Sequence, residues 1–292
     1  MRTLSRISVG PKILIGVLLF TSTAAMAADE VFNRSFTVTP GGLLTVHADA
    51  AAIVVSGGDS SQVVVRMTVR DSKVKPDALR ISAAQSADGV TVEMLRSRGD
   101  WFSQLFGWWG SWDLDPRIEV TVPRHYRVET KTSGGDITVS HLDGDATGTT
   151  SGGNVHLEDV TGQVGFRTSG GDIVANAVRG DIDASTSGGD VRLLRVDGKV
   201  RAKTSGGDVQ CELVGANRGI SAITSGGDIS LTMAKANTAT LDAATSGGDI
   251  VTDFPVSTQS TNERRLSGPI NGGGEAIYAR TSGGDIALRA GP

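Results

Sequence analysis

TSGGDITVSHLDGDATGTTSGGN, residues 132–154, carries nearly the same five-residue string twice, eighteen residues apart. Thr-Ser-Gly-Gly returns at Thr168, Thr186, Thr204, Thr224, Thr245 and Thr281, so the intervals from Thr132 onward are 18, 18, 18, 18, 20, 21 and 36. The last interval is two periods long, with a degenerate copy around Leu266-Ser267-Gly268. A fixed period below about 50 residues marks a stacked repeat, and the repeat unit then decides the fold.

Alignment on the Thr exposes the unit. Four residues before it stand Val128, Ala146, Val164, Ile182, Val200, Ile220, Leu241 and Ile277, and two before it mostly Gly or Ala, with Thr130 and Phe166 as exceptions. The residue after the acidic position is always Ile or Val, from Ile137 and Val155 to Ile286, and two further on come residues such as Val139, Leu157 and Leu193. This is a period of two, so each unit holds two short strands with one face inward. A second turn follows, marked by Gly144, Gly162, Gly180 and Gly198. Two short strands cannot bury their inward face alone, whereas units stacked in register lay Ile on Ile and Ala on Ala. The expected fold is all-β, a parallel β-helix or β-solenoid with coils of about 18 residues spaced by about 4.8 Å. Successive windings are expected to lie directly on one another, about nine in all.

The repeated string reads as the corner of each coil, with Gly-Gly supplying positive φ and Thr and Ser capping free amides. Each corner ends in an acidic or amide residue: Asp136, Asn154, Asp172, Asp190, Asp208, Asp228, Asp249 and Asp285. Stacked carboxylates could hold calcium, but Asn154 interrupts the row and the nine-residue signature of calcium-binding β-rolls is missing. Turn capping, which Asn performs as well as Asp, is the reading adopted, with no metal and no cofactor. Carboxylates spaced by one coil repel, and Lys131, Arg167, Lys203 and Arg280, each just before the Thr, are expected to offset this.

Before the repeats the chain changes character. Arg2, Arg6 and Lys12 precede an apolar run from Ile13 to Phe20, followed by Ala25-Met26-Ala27, which reads as a secretory signal over residues 1–27. Its removal takes three basic and no acidic residues, so the formal charge falls from -4 to -7, which argues against nucleic acid. The one cysteine, Cys211, cannot form an internal disulfide and lies too far along the chain to carry an export lipid, so it reads as a buried apolar residue. Residues 28–125 are expected to form a small β region that starts the stack, and residues 126–292 the solenoid of TSGGD repeats. Whether Ser56-Gly57-Gly58-Asp59 is a degenerate corner or a hairpin turn stays open.

All four tryptophans fall in the insertion at residues 98–116. At helical spacing Trp101, Leu105, Trp108 and Trp112 share one side, with Phe102 and Trp109 beside them and Phe106 in the same stretch, and Asp100 is a fitting N-cap. Such an aromatic segment serves either as a lid over the open end of a solenoid or as a contact for an envelope protein, a glycan or a lipid surface.

Several stretches resemble a known family. They are SFTVTPGGLLTVHADAAAIVVSGG (35–58), VVVRMTV (63–69), IEVTVPRHYRVETKTSGGDI (118–137), the break at DFPV (253–256) and the closing GPINGGGEAIYARTSGGDIAL (268–288). Together they are similar to the bacterial envelope β-strand-repeat family of unknown function, often labelled adhesin-like, and to the related head GIN domain proteins. The resemblance covers about residues 31–292 and implies a parallel β-helix in the cell envelope, exported to the periplasm or beyond. It implies no catalytic residues.

Chemistry along the chain is sparse. Asp143 with Asp145, or Glu158 with Asp159, could form the carboxylate pair of a glycan-cleaving β-helix, but solvated turns need the same residues. His47, His125, His141 and His156 show no metal-ligand spacing. The outward row Thr138, Val174, Arg192 and Gln210 has no shared chemistry. The expected function is therefore non-catalytic binding or scaffolding in the envelope, with a glycan-active enzyme and a membrane-surface envelope stress protein as the alternatives.

Overall fold

A computed structural model describes residues 29–69, 79–96, 116–257, 260–262 and 264–291. The secretory signal and the tryptophan segment, with its expected helix, lie outside the described residues. The strands before the repeats are β1 (Asp29–Thr37), β2 (Leu43–Ala48), β3 (Ala52–Gly58), β4 (Gln62–Val69), β5 (Leu79–Gln85), β6 (Gly89–Arg96) and β7 (Pro116–Pro123). The regular stack follows as β8 (Arg127–Thr132), β9 (Ile137–Asp143), β10 (Ala146–Thr149), β11 (Val155–Thr161), β12 (Val164–Arg167) and β13 (Ile173–Arg179). It continues through β14 (Ile182–Ser185), β15 (Val191–Asp197), β16 (Val200–Lys203), β17 (Val209–Leu213), β18 (Ile220–Ile223) and β19 (Ile229–Ala234). The last strands are β20 (Ala239–Ala244), β21 (Ile250–Thr252), β22 (Ser260–Asn262), β23 (Arg265–Ile270), β24 (Ala276–Arg280) and β25 (Ile286–Gly291).

These strands form two sheets. Even-numbered members of the regular stack, β8 to β18, lie in a 13-stranded sheet and their odd-numbered partners, β9 to β19, in a 12-stranded one. Each coil runs along the first sheet, turns the TSGGD corner and returns along the second. Pairing is parallel and in register: Val155 faces Ile137 on one side and Ile173 on the other, all three essentially inaccessible. The core is one continuous column of apolar side chains, because a period of two places every inward residue on the equivalent residue of the next coil. Cys211 joins it between Leu193 and Leu231. At the level of Thr130, Gly148 and Phe166, the glycine stands between the two exceptional residues and leaves the space that the Phe166 ring and the Thr130 side chain fill from either side.

In β9, β11, β13 and β15 the second strand of the coil is not straight. His141, Asp159, Ala177 and Arg195 take left-handed φ of 55°, 51°, 57° and 54°. Each sits one residue before an inward apolar residue: Leu142, Val160, Val178 or Val196. The left-handed residue lets two neighbours face outward in succession and bends the strand around the core. The period of two missed this bend, although the inward spacing of two and then three, as in Ile137, Val139 and Leu142, records it.

The order of stacking departs from expectation at the end of the chain. Strands β24 and β25 do not follow β20 and β21 outward. They lie between β18 and β20 and between β19 and β21, in register with both neighbours. The segment around Leu266-Ser267-Gly268 is not a degenerate coil. As β23 it runs antiparallel to β20 and closes the first sheet with β22, and Val256 forms an isolated antiparallel bridge to its Ile270. Pro269 and Gly268 give this segment little with which to continue a parallel ladder.

The opening region is built the same way. Strands β2 and β3 sit between β8 and β6 and between β9 and β7, so the first coil in the chain is enclosed by later ones. The antiparallel strands β4, β1 and β5 finish this end. Ser56-Gly57-Gly58-Asp59 is thus neither a corner nor a hairpin turn, since β3 and β4, the strands it joins, both pair with β7 between them. Gly57 is required there because a Cβ would overlap the His141 carbonyl oxygen.

Candidate functional site

The eight corner residues expected to form a ladder do so on one edge of the stack, in the spatial order Asp136, Asn154, Asp172, Asp190, Asp208, Asp228, Asp285, Asp249. The amide of each donates to the side-chain Oδ1 of the one before, at 2.7 to 2.9 Å. The capping is therefore between coils rather than within a turn. Asn154 accepts the Asp172 amide at 2.9 Å as the aspartates do, which explains why an amide is tolerated in the row.

The cations expected to offset the row mostly do not reach it. Arg167 lies 3.9 Å from Asp183, and Arg280 pairs with Asp242 and stacks over Tyr278. The ion pair that does touch the row comes from Arg192, 2.7 Å from Asp190. Each side chain of the row except the last, Asp249, accepts the amide of the next coil's corner residue. Among the described residues no group of three or more His, Cys, Asp or Glu is placed to hold a metal ion.

Beneath this row runs a second ladder that the sequence shows only as conserved letters within the repeat. Each corner threonine is buried. Thr132 donates to the Ala51 carbonyl at 3.0 Å, and from Thr150 onward the threonine Oγ1 donates to the second glycine's carbonyl on the neighbouring coil, as Thr168 to Gly153 and Thr186 to Gly171, both at 2.8 Å. The same hydroxyl accepts the amide three residues on, as Gly171 gives to Thr168 at 3.3 Å. The paired glycines are not there for positive φ, since none of the corner glycines has one. The second of each pair lies so close to its neighbour that a Cβ on Gly171 would overlap the Gly153 carbonyl oxygen. Close approach of backbones, not turn geometry, requires glycine.

The carboxylate pairs considered for glycan cleavage are committed elsewhere. Asp145 accepts the Gln163 amide at 2.8 Å, Asp159 pairs with Arg179 at 3.1 Å, and Asp143 lies 3.7 Å from His125. The described surface has shallow hollows. One, of about 350 Å³, lies on the outer face of the 13-stranded sheet between Arg167, Asp183, Arg201 and Lys203. Sequence reasoning followed the outward row of the other sheet and missed this cluster. The signal was the pairing of Arg201 with Lys203 two residues apart and Arg167 two coils earlier.

The tryptophan residues Trp101, Trp108, Trp109 and Trp112, with Phe102, Leu105 and Phe106, lie outside the described residues, but their point of attachment is defined. β6 ends at Arg96 and β7 begins at Pro116, and the two strands stand beside β2 and β3 as one coil. Residues 97–115 therefore connect the sheets at the place where the regular coils carry TSGGD.

Parallel coils on two sheets, tied along one edge by threonine and aspartate ladders, define a β-solenoid. The chain belongs to the Toastrack DUF4097 family, whose model matches residues 43–289. Among solved structures it is similar to a candidate adhesin of Bacteroides fragilis, with 14% identity over 88% of this chain and 96% of that one and a TM-score of 0.44. A candidate adhesin of Parabacteroides distasonis has 11% identity over 88% and 96%, with a TM-score of 0.42. A candidate lipid-binding protein of the same species has 17% identity over 88% and 96%, with a TM-score of 0.44. Comparison with curated proteins gives no match.

Proposed function

We propose that this chain is an exported, non-catalytic binding protein of the bacterial cell envelope, adhesin-like, whose contact segment is the aromatic stretch at residues 98–116. The observation that carries this reading is the place of that stretch in the stack. The regular corners are occupied in holding coil to coil, whereas the β6–β7 connection replaces the corner with a long segment containing all four tryptophans. In solenoids, insertions in single repeats gather on one face, which is often the binding face. Aromatic side chains supply large contact area at low entropic cost and suit a protein, glycan or lipid interface. The commitment of Asp143, Asp145 and Asp159 to structural contacts supports a non-catalytic role.

The test is co-sedimentation of the purified chain with peptidoglycan and with outer-membrane vesicles, followed by in-cell crosslinking through the aromatic segment. Trp108→Ala with Trp109→Ala should abolish capture and leave the melting temperature unchanged. A large fall in melting temperature would instead make the segment a lid over the coil end.

A further inference from the structure

We propose that the C-terminal coil, β24 with β25, is an exchangeable unit, and that the slot it fills also accepts the same segment from a second copy of this chain. The two walls of the slot are consecutive in the chain: β19 and β20 are joined through residues 235–238, yet the coils they belong to do not touch as neighbours. The filler reaches the slot from β23, through the short link Asn271-Gly272-Gly273-Gly274. It is held by rungs on both sides. Thr281 donates to the Gly227 carbonyl and Thr245 to that of Gly284, each at 2.8 Å. The Asp285 amide donates to Asp228 and the Asp249 amide to Asp285, again at 2.8 Å. Ile277 and Ile286 are wholly buried between the walls, and Arg280 reaches across to Asp242.

None of these contacts depends on which molecule supplies the filler. A second copy brings the same rungs, so exchange conserves everything inside the slot and alters only the path of the link. That link is where the fold-back geometry is concentrated. Asn271, Gly272 and Gly273 take φ of 50°, 91° and 88° in succession, and Asn271 Nδ2 donates to the carbonyls of Lys235 and Asn237 at 3.0 and 2.8 Å, pinning the turn. Opening the turn releases three left-handed residues while the filler crosses to a neighbouring molecule.

The experiment uses full-length chains in a Cys211→Val background, one carrying Ser221→Cys and the other Tyr278→Cys. These positions are register partners on β18 and β24, and each chain has a single thiol, so only exchange brings the two together as strand neighbours. The chains are unfolded in urea, mixed, refolded over a range of concentrations and treated with a short bismaleimide. The expected result is a dimer linked between residues 221 and 278, identified by mass spectrometry, with a yield that rises with concentration. Refolding that yields monomers without this link at every concentration overturns the proposal. A second variant deletes Gly272 and Gly273, which leaves the link too short to fold back. It should be a dimer with residues 239–291 protected from hydrogen exchange, whereas a monomer with that region unprotected also overturns the proposal.

Discussion

Alanine at Gly171 and alanine at its neighbour Gly170 should have opposite effects, although both residues belong to one Gly-Gly corner. A Cβ on Gly170 would meet the Gly152 carbonyl oxygen at 3.6 Å, an ordinary contact, while one on Gly171 would overlap the Gly153 carbonyl oxygen. Relieving that overlap to normal packing parts the two coils by about 1 Å, which a close-packed interior cannot absorb. Three hydrogen bonds cross the gap there: Thr168 Oγ1 to Gly153 at 2.8 Å, the Asp172 amide to Asn154 at 2.9 Å, and the Val155 amide to the Asp172 carbonyl at 2.8 Å. At about 1 kcal/mol net for each bond, their loss costs about 3 kcal/mol. Alanine recovers about 0.5 to 1 kcal/mol by restricting the unfolded chain. Gly171→Ala should therefore destabilise by about 2 to 2.5 kcal/mol, a large fraction of a total of about 5 to 15 kcal/mol. Gly170→Ala should be neutral or more stable by about 0.5 kcal/mol. Urea unfolding followed by far-ultraviolet circular dichroism reads both, with an unchanged slope as the check that the same surface is exposed. Two variants within about 0.5 kcal/mol of each other, about the spread expected of ordinary surface changes, would refute the close-approach argument.

Four further outcomes can be measured in the same way. Thr168→Val keeps the side-chain shape but leaves the Gly153 carbonyl and the Gly171 amide without their partner, costing about 2 kcal/mol; Thr168→Ser loses a methyl group at about 1 kcal/mol, and the reverse ranking would show that the hydroxyl is not what ties the coils. Asp172→Asn should change stability by less than about 0.5 kcal/mol because Asn154 already serves in the ladder, whereas Asp172→Ala should cost about 1 kcal/mol; a melt lowered by chelator would instead place a cation in the row. Tyr126→Phe should stabilise by about 1 kcal/mol, since the Tyr126 hydroxyl is buried with no hydrogen-bond partner among the described residues, and a destabilised variant would reveal one. Burial, and then the charge of Glu212, push the Cys211 thiol from 9.0 up to about 12. A raised folded value means that its contribution to stability is complete below about pH 9 and is lost as pH climbs towards 12. Cys211→Val should flatten that alkaline decline, and thiol reagents should label Cys211 only on unfolding.

The repeat period, the inward face and the edge bearing the acidic row are all legible in the chain because each is written locally, as a side-chain alternation or a recurring corner. The bend at His141, Asp159, Ala177 and Arg195 is also written there, in the change of inward spacing from two to three, but a template of strict alternation passes over it. The role of the corner glycines is not legible. A Gly-Gly pair suits a left-handed turn and a close approach equally well, and only the neighbouring coil distinguishes them. The cluster of Arg167, Arg201 and Lys203 around Asp183 has the same origin, since it joins residues from different coils across one sheet face.

By itself, then, the sequence determines that the chain winds into parallel coils, which residues point inward and where the corners fall. The tertiary structure decides the order in which those coils meet. Every TSGGD coil offers the same rungs to its neighbours, so nothing local distinguishes the coil starting at Thr245 from the one starting at Thr281 as the partner of the coil at Thr224. That choice is made by the ends: β23, antiparallel and bearing Gly268 and Pro269, closes over β20 and leaves β24 and β25 the place beneath it.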